Sequence, residues 1–196
     1  MRHILKYKLL DSTMNEAKRL LEDTSKLNEL SSGKLILIQG LEQSLGRGQY
    51  GKAWASPPGA GFYLSFLSSK AIPSYEEASI KATELVIDLL TKFFETRNIL
   101  LEDKFTLKPI NDIYYRGQKL AGILVETFKH QEQLFNIIGI GLNLYSSNYR
   151  LKESLLDAPK ASPIALDEIV SREELMKYEE ELLFEIYDSF RDLYFS

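Results

Sequence analysis

Apolar residues recur at three- and four-residue spacing in three stretches of the chain, each preceded by a helix-start signal. Thr13 and Glu16 form a T-x-x-E capping box ahead of Ala17, Leu20 and Leu21. Ser74 and Glu77 repeat it before Ala78, Ala82, Leu85, Val86, Leu89, Leu90, Phe93 and Phe94, and Ser171 and Glu174 do so before Leu175, Tyr178, Leu182, Ile186, Phe190 and Leu193. Such stripes are the core faces of helices. Between them lie short apolar or alternating runs bounded by turn residues: KLILIQ at 34–39, GFYLSFL at 61–67, NDIYY at 111–115, LAGILVE at 120–126 and LFNIIGIGLNL at 134–144. These read as strands. Arg116-Gly117-Gln118 separates two of them and predicts an antiparallel hairpin. The order predicts an α+β fold, a mixed and mainly antiparallel sheet with helices packed on one face, as a single domain over residues 1–196. Residues 145–170, with Pro159 and Pro163, read as a long loop with a short helix.

Composition narrows the function classes. A chain of 196 residues with 44% hydrophobic content can bury a substantial core. Its formal net charge of −4 argues against a general electrostatic grip on nucleic acid or an anionic membrane, because counterion release needs clustered Lys and Arg. The absence of cysteine excludes disulfides, thiolate catalysis and Cys-ligated zinc. Its two histidines, His3 and His130, lie far apart in sequence, which disfavours a His-rich metal site. The opening MRHILKYKLLDST lacks the apolar core of a signal peptide, and no run approaches the roughly 18 residues that span a bilayer. The expectation is a cytoplasmic protein with no membrane and no nucleic-acid partner.

Residues 46–54, GRGQYGKAW, concentrate the chemistry. Gly46, Gly51 and Lys52 fit the phosphate-cradling pattern G-x-x-x-x-G-K-[ST], but Ala53 stands where a hydroxyl should hold Mg²⁺. Pro57, Pro58, Gly59 and Gly61 then preclude the helix that such a loop must enter. An NTPase P-loop is therefore rejected. Five of the eleven glycines fall between positions 46 and 61, together with Arg47, Lys52 and Trp54. Glycine lets backbone N–H groups approach a ligand, and the two cations supply charge to an anion. From these residues alone, two readings stand: a loop closing over a phosphate-bearing ligand, or a surface loop without one.

Four stretches taken together resemble the catalytic domain of biotin–protein ligases. DSTMNEAKRL at 11–20 is similar to the family's D-S-T-N helix opening. EQSLGRGQYGKAWASPPGAGFYLS at 42–65 is similar to its Q-x-x-G-R-G-R-x-G-R-x-W-x-S-P-x-G loop and following strand. KPINDIYYRGQKLAGILVE at 108–126 looks like its K-W-P-N-D hairpin running into K-L-A-G-I-L-V-E, and IIGIGLNL at 137–144 resembles its G-x-G-x-N strand. Order and spacing match over residues 11–144, about two thirds of the chain.

The resemblance implies a two-step reaction: biotin is joined to the α-phosphate of ATP as biotinoyl-AMP, and the acyl group is then captured by a lysine of a biotin carboxyl carrier protein. Carried over position by position, it assigns Ser12, Thr13 and Gln43 to the ureido ring of biotin. A buried polar ring needs every donor and acceptor matched. Gly46, Arg47 and Gly48 would fold over carboxylate and phosphate, with Met14, Gln49 and Gly122 completing the biotin set. Lys119 would neutralise charge between the biotin carboxylate and the α-phosphate. Asp112 would orient or deprotonate the incoming lysine and lie near Mg²⁺. Lys52, Trp54, Asn111 and Asn143 join Arg47 and Lys119 on the ATP side. Several of these have plainer roles open to them: Ser12 and Thr13 as helix caps, Trp54 as core, Asn111-Asp112 as turn chemistry and Lys119 as a surface lysine.

Three departures from the family pattern stand out. Met14 replaces an asparagine, with Asn15 next to it as a substitute; Gln49 replaces the second arginine of G-R-G-R; Pro109-Ile110 replaces Trp-Pro. Only ten residues precede Asp11, so no helix-turn-helix and no transcriptional role are expected, nor is a β-barrel domain after the last helix. Exposed sheet edges leave a homodimer open. The competing functions are a lipoyl or octanoyl ligase of the same fold and a degenerate biotin- or adenylate-binding protein without transfer.

Overall fold

Among the described residues, seven strands and four helices account for the apolar pattern: β1 His3–Tyr7, α1 Thr13–Arg19, α2 Thr24–Ser31, β2 Ile36–Gly40, β3 Gly61–Ser68, α3 Tyr75–Thr96, β4 Phe105–Lys108, β5 Asp112–Tyr115, β6 Gln118–His130, β7 Gln133–Asn143 and α4 Arg172–Phe195. A computed structural model of the chain describes residues 2–31, 34–69, 74–108, 110–147 and 163–195. The strands form one sheet of order β1-β2-β3-β7-β6-β5-β4. β1 pairs with β2 in parallel and the other neighbours pair antiparallel, the mixed, mainly antiparallel sheet that the sequence predicts.

Alternation divides the sheet's two faces by side-chain size. Phe62, Leu64 and Phe66 of β3, Ile123 and Val125 of β6, and Ile138, Ile140 and Leu142 of β7 point to one face. There they pack under the stripes of α3 and α4, and Phe66 stacks on Phe190 with ring centroids 4.5 Å apart. α4 is also pinned to the sheet by Tyr187, whose hydroxyl accepts from the His3 N–H at 3.1 Å and donates to the Leu35 carbonyl at 2.9 Å. The two long helices thus share one face, but the expectation that the helices pack on one face alone is corrected: α1 and α2 cover part of the opposite face, where Met14, Ala17, Leu21 and Leu30 bury Ile36, Ile38, Leu67 and Ile137.

The caps of α3 and α4 are those the sequence signals: the Ser74 Oγ accepts from the Glu77 N–H, and the Ser171 Oγ from the Glu174 N–H. The β5–β6 hairpin turns at Arg116 and Gly117, with φ of +50° and +77°, the left-handed pair that a two-residue loop requires. Three elements carried no sequence signal: the edge strands β1 and β4, and α2, whose TSKLNELS is mostly polar. The loop expected over 145–170 falls mainly on residues 148–162, outside the described ones; the described part holds a 3₁₀ turn at Leu166–Glu168. Among the described residues no helix is long and apolar enough to cross a membrane.

Candidate functional site

The sheet face opposite α3 and α4 is lined near its centre by small residues. Ser65 of β3 pairs with Gly139 of β7, and Gly141 of β7 pairs with Gly122 of β6, which in turn stands opposite Asp112 of β5. Where the helix face carries Phe, Ile and Leu, these positions carry glycine hydrogens, one hydroxyl and one carboxylate, with Tyr63 and Leu124 beside them on the same face. The result is a floor running from β3 to β5, on which other groups can lie against the backbone.

At the β5 end of the floor, Lys119 Nζ lies 2.8 Å from Asp112 Oδ1. A strand alternates, so residues 119 and 122, three apart, should face opposite sides. They do not, because β6 carries one extra residue against β5: Ile113 pairs with Ala121 and the adjacent Tyr114 with Lys119. Leu120 and Ala121 consequently both enter the helix-side core, and Lys119 returns to the floor side, its Cε 3.4 Å from where a Gly122 Cβ would stand. This β-bulge aims the lysine.

At the other end stands a wall of buried polar side chains, none more than 7% exposed: Ser12, Thr13, Gln43, Ser56 and Ser65. Gln43 sits between two chain segments, bridged to Leu10 on one side and Ser56 on the other. Its Oε1 accepts from the Thr13 N–H at 2.8 Å and from Thr13 Oγ1 at 3.1 Å, and its Nε2 donates to Ser56 Oγ at 2.8 Å. Ser56 Oγ passes its proton to the Trp54 carbonyl at 3.2 Å, and Ser65 Oγ donates to Thr13 Oγ1 at 2.8 Å. Ser12, not Thr13, caps α1, its Oγ accepting from the Met14 N–H at 3.2 Å. The capping box expected at Thr13 and Glu16 is thereby corrected: the Thr13 hydroxyl is taken by Gln43, and Glu16 pairs with Arg19 at 2.7 Å.

The glycine-rich segment closes over both ends. Gly46 packs so tightly that a Cβ would lie 2.4 Å from the Trp54 carbonyl oxygen and 2.7 Å from Ser56 Oγ, which only glycine allows. The Gly48 N–H donates to the Lys52 carbonyl at 2.7 Å. The Trp54 indole lies on the floor itself: a Cβ on Gly141 would stand 2.3 Å from its Cε2, and one on Gly122 3.0 Å from its Cζ3. Lys119 Nζ is 5.2 Å from the indole centroid, within cation–π range. Among the described residues the buried Trp54 Nε1 has no acceptor.

Most other expected site residues are held by partners other than Lys119. Arg47 turns to Glu126 on β6, Nη2 to Oε2 3.4 Å, where Lys18 of α1 also binds the same oxygen at 2.8 Å. Gln49 donates to the Tyr75 hydroxyl at the start of α3, and Lys52 is exposed. Met14 is 3% exposed in the apolar cluster, where a Gly139 Cβ would meet its Sδ at 2.8 Å. Asn15 does not substitute for it, because its amide donates to Asp11 at 2.8 Å. Asn111 donates to the Ile123 carbonyl at 2.6 Å and so ties β5 to β6. Asn143 donates to the Ile164 carbonyl at 3.0 Å and the Lys119 carbonyl at 3.4 Å, leaving its buried Oδ1 without a partner among the described residues. Ser56, Ser65 and Glu126 were not singled out from the sequence. Asp11, just before the wall, is held well below the usual carboxylate range, chiefly by hydrogen bonds from Arg19.

Among the described residues no group of three or more His, Asp or Glu side chains could hold a metal ion. Asp112 is a lone carboxylate beside an ammonium. That donor set suits a cation carried in by phosphates rather than a resident one.

The chain was compared with known proteins. The family model described as "Biotin/lipoate A/B protein ligase family" matches residues 7–143. The chain is 34% identical over 133 residues to the bifunctional ligase/repressor BirA of Escherichia coli, covering 67% of this chain and 39% of that protein. It is 31% identical over 134 residues to the biotin–[acetyl-CoA-carboxylase] ligase of Mycobacterium tuberculosis, covering 65% of this chain and 47% of that protein. The chain thus spans less than half the length of these relatives. Among solved structures, a biotin protein ligase from Leishmania major in complex with biotin superposes with a TM-score of 0.66 at 20% identity, covering 99% of this chain and 74% of that one. At that identity the likeness speaks for the fold.

Proposed function

This chain belongs to the biotin/lipoate A/B protein ligase family, and from that premise we propose that it is an ATP-dependent biotin–protein ligase. A carboxylate oxygen of biotin attacks the α-phosphorus of ATP, the bond to pyrophosphate breaks, and biotinoyl-AMP forms. A lysine amine on a carboxylase's biotin carboxyl carrier domain then attacks the acyl carbon, and AMP leaves.

One observation carries the choice of ligand: the bonding capacity that the polar wall has left. Both lone pairs of Gln43 Oε1 are taken by Thr13, and one Nε2 proton goes to Ser56. What is left includes two donors, the second Gln43 amide proton and the Ser12 hydroxyl proton, and hydroxyl lone pairs, among them one on Thr13 Oγ1. Those two donors and the Thr13 acceptor suit a cyclic urea, whose carbonyl accepts twice and whose ring N–H donates. A lipoyl or octanoyl group offers the wall no such partners. Each buried polar group left unpaired would cost about 1–3 kcal/mol.

From that wall the acyl chain would run over Gly139, Gly141 and Gly122 toward Lys119. Ser65 and Asp112 are three strand spacings apart, about 14 Å, a reach that accommodates a ring, a short chain and an acid group. Lys119, aimed by the bulge and steadied by Asp112, would neutralise charge building between carboxylate and α-phosphate. Arg47 would leave Glu126 for the same anions, with Gly46, Gly48 and Gln49 closing the loop and Lys52 reaching the phosphates. Trp54 would leave the glycine floor to stack on the adenine, which Asn143 and Asn111 would flank. Mg²⁺ would neutralise the polyphosphate, and Asp112 would be the carboxylate that assists it. In the second step Asp112 would accept the proton of the incoming amine, whose reference pKa is about 10.4.

The direct test is incubation with biotin, ATP, Mg²⁺ and a carrier domain, followed by intact mass. The expected result is the mass of one biotinoyl group on the carrier lysine. Adenylate without transfer would instead indicate a binding protein, and modification only with lipoate would move the assignment to the other branch of the family.

A further inference from the structure

The hydrogen bonds that link Thr13, Gln43, Ser56 and Ser65 in the polar wall take their direction from a single backbone N–H. The Thr13 N–H can only donate, and it meets Gln43 at 2.8 Å, so the oxygen end of the amide must face Thr13. That oxygen can only accept, so the Thr13 hydroxyl gives its proton to it. With its proton spent, Thr13 Oγ1 can only accept from its other neighbour. That neighbour, at 2.8 Å, is Ser65 Oγ, a side chain of 0% exposure in the middle of β3. At the far end, the Gln43 amide nitrogen must donate to Ser56, which hands its own proton to the Trp54 carbonyl.

Ser65 occupies a sheet face otherwise lined there by Leu67, Ile38 and Gly139. A hydroxyl buried among such neighbours is costly unless it is bonded. We propose that Ser65 is a specificity-determining positioning residue: by donating to Thr13, whose proton Gln43 takes, it anchors the threonine oxygen from a second side and holds its one remaining lone pair toward the ligand, so that the wall selects a ring bearing an N–H. Without Ser65 the Thr13 hydroxyl keeps its proton on Gln43 but loses that second anchor, and its acceptor lone pair is no longer held toward the ligand. The wall then grips a ring N–H less tightly. This inference rests on the ring-binding role given to Thr13 and Gln43 above.

The test measures binding by the intact protein of biotin and of octanoate, an acid with no ring N–H, alongside the melting temperature. In Ser65→Ala the biotin Kd is expected to rise about three- to tenfold, the loss typical of one hydrogen bond, while the octanoate Kd stays within twofold. Selectivity therefore falls. An unchanged biotin Kd overturns the proposal, and so does an equal loss for both acids, which would mark Ser65 as merely structural. Should the alanine variant not fold, Ser65→Thr and Ser65→Val have the same shape and differ only in the hydroxyl. Threonine should keep the selectivity of wild type and valine should lose it; equal selectivity in the two refutes the idea. If wild type binds octanoate but not biotin, the ligand reading itself fails, a result distinct from all of these.

Discussion

At the scale of single residues, the site rests on groups whose chemistry is fixed by close neighbours. Asp112 and Lys119 are 2.8 Å apart, and the pair serves two proposed steps differently. Adenylation needs the ammonium, which survives loss of the aspartate's charge. Transfer needs a base. Asp112→Asn should therefore slow adenylation only several-fold while lowering transfer from preformed biotinoyl-AMP about 10²- to 10⁴-fold, read by single-turnover kinetics. Equal effects on the two steps would remove Asp112 from the role of base. Much of this site was legible in the sequence, because Ser12, Thr13, Gln43, Asp112 and Lys119 lie within recognisable motifs. Ser65 was not legible, since a serine in GFYLSFL reads as one polar interruption of an apolar strand, and its partner Thr13 is 52 residues away. Thr13 itself was misread as a cap: local spacing favours that role, but Gln43, 30 residues on, claims the hydroxyl.

At the scale of elements, two features decide what reaches the floor. One is the bulge in β6. Nothing in QKLAGILVE announces an extra residue, because both Leu120 and Ala121 are apolar and fit either register. The other is the loop carrying Trp54, the chain's single tryptophan, whose intrinsic fluorescence therefore reports on this loop alone. A ligand using the floor must displace the indole from Gly141. Gly141→Ala would place a methyl group 2.3 Å from the indole, too close for contact, so the ring must shift. The variant should show red-shifted emission without ligand and at least tenfold weaker biotin binding. Wild-type emission together with wild-type affinity would show that the indole does not rest on this glycine. The glycine cluster was plain in the sequence, but which glycine meets which side chain depends on the pairing of β6 with β7. For the same reason β1, β4 and α2 escaped detection. The first two are short edge strands given meaning by their neighbours, and α2 lacks an apolar stripe of its own.

At the scale of the whole molecule, the sheet separates stability from chemistry. One face spends its large side chains on α3 and α4, and the other keeps small ones where the ligand is proposed to lie. The helix-side core was readable because long amphipathic stripes with proper caps are strong signals. The division of faces emerges only when Ser65, Gly139, Gly141 and Gly122 are set side by side by strands far apart in the chain. The central claim is that this floor delivers an acid to the ammonium of Lys119 for capture of AMP. Biotin-dependent exchange of labelled pyrophosphate into ATP reads that step without any acceptor protein. Wild type should exchange, and Lys119→Ala, still folded, should lose about 10²- to 10³-fold of the rate. Exchange at the wild-type rate in Lys119→Ala would contradict the account.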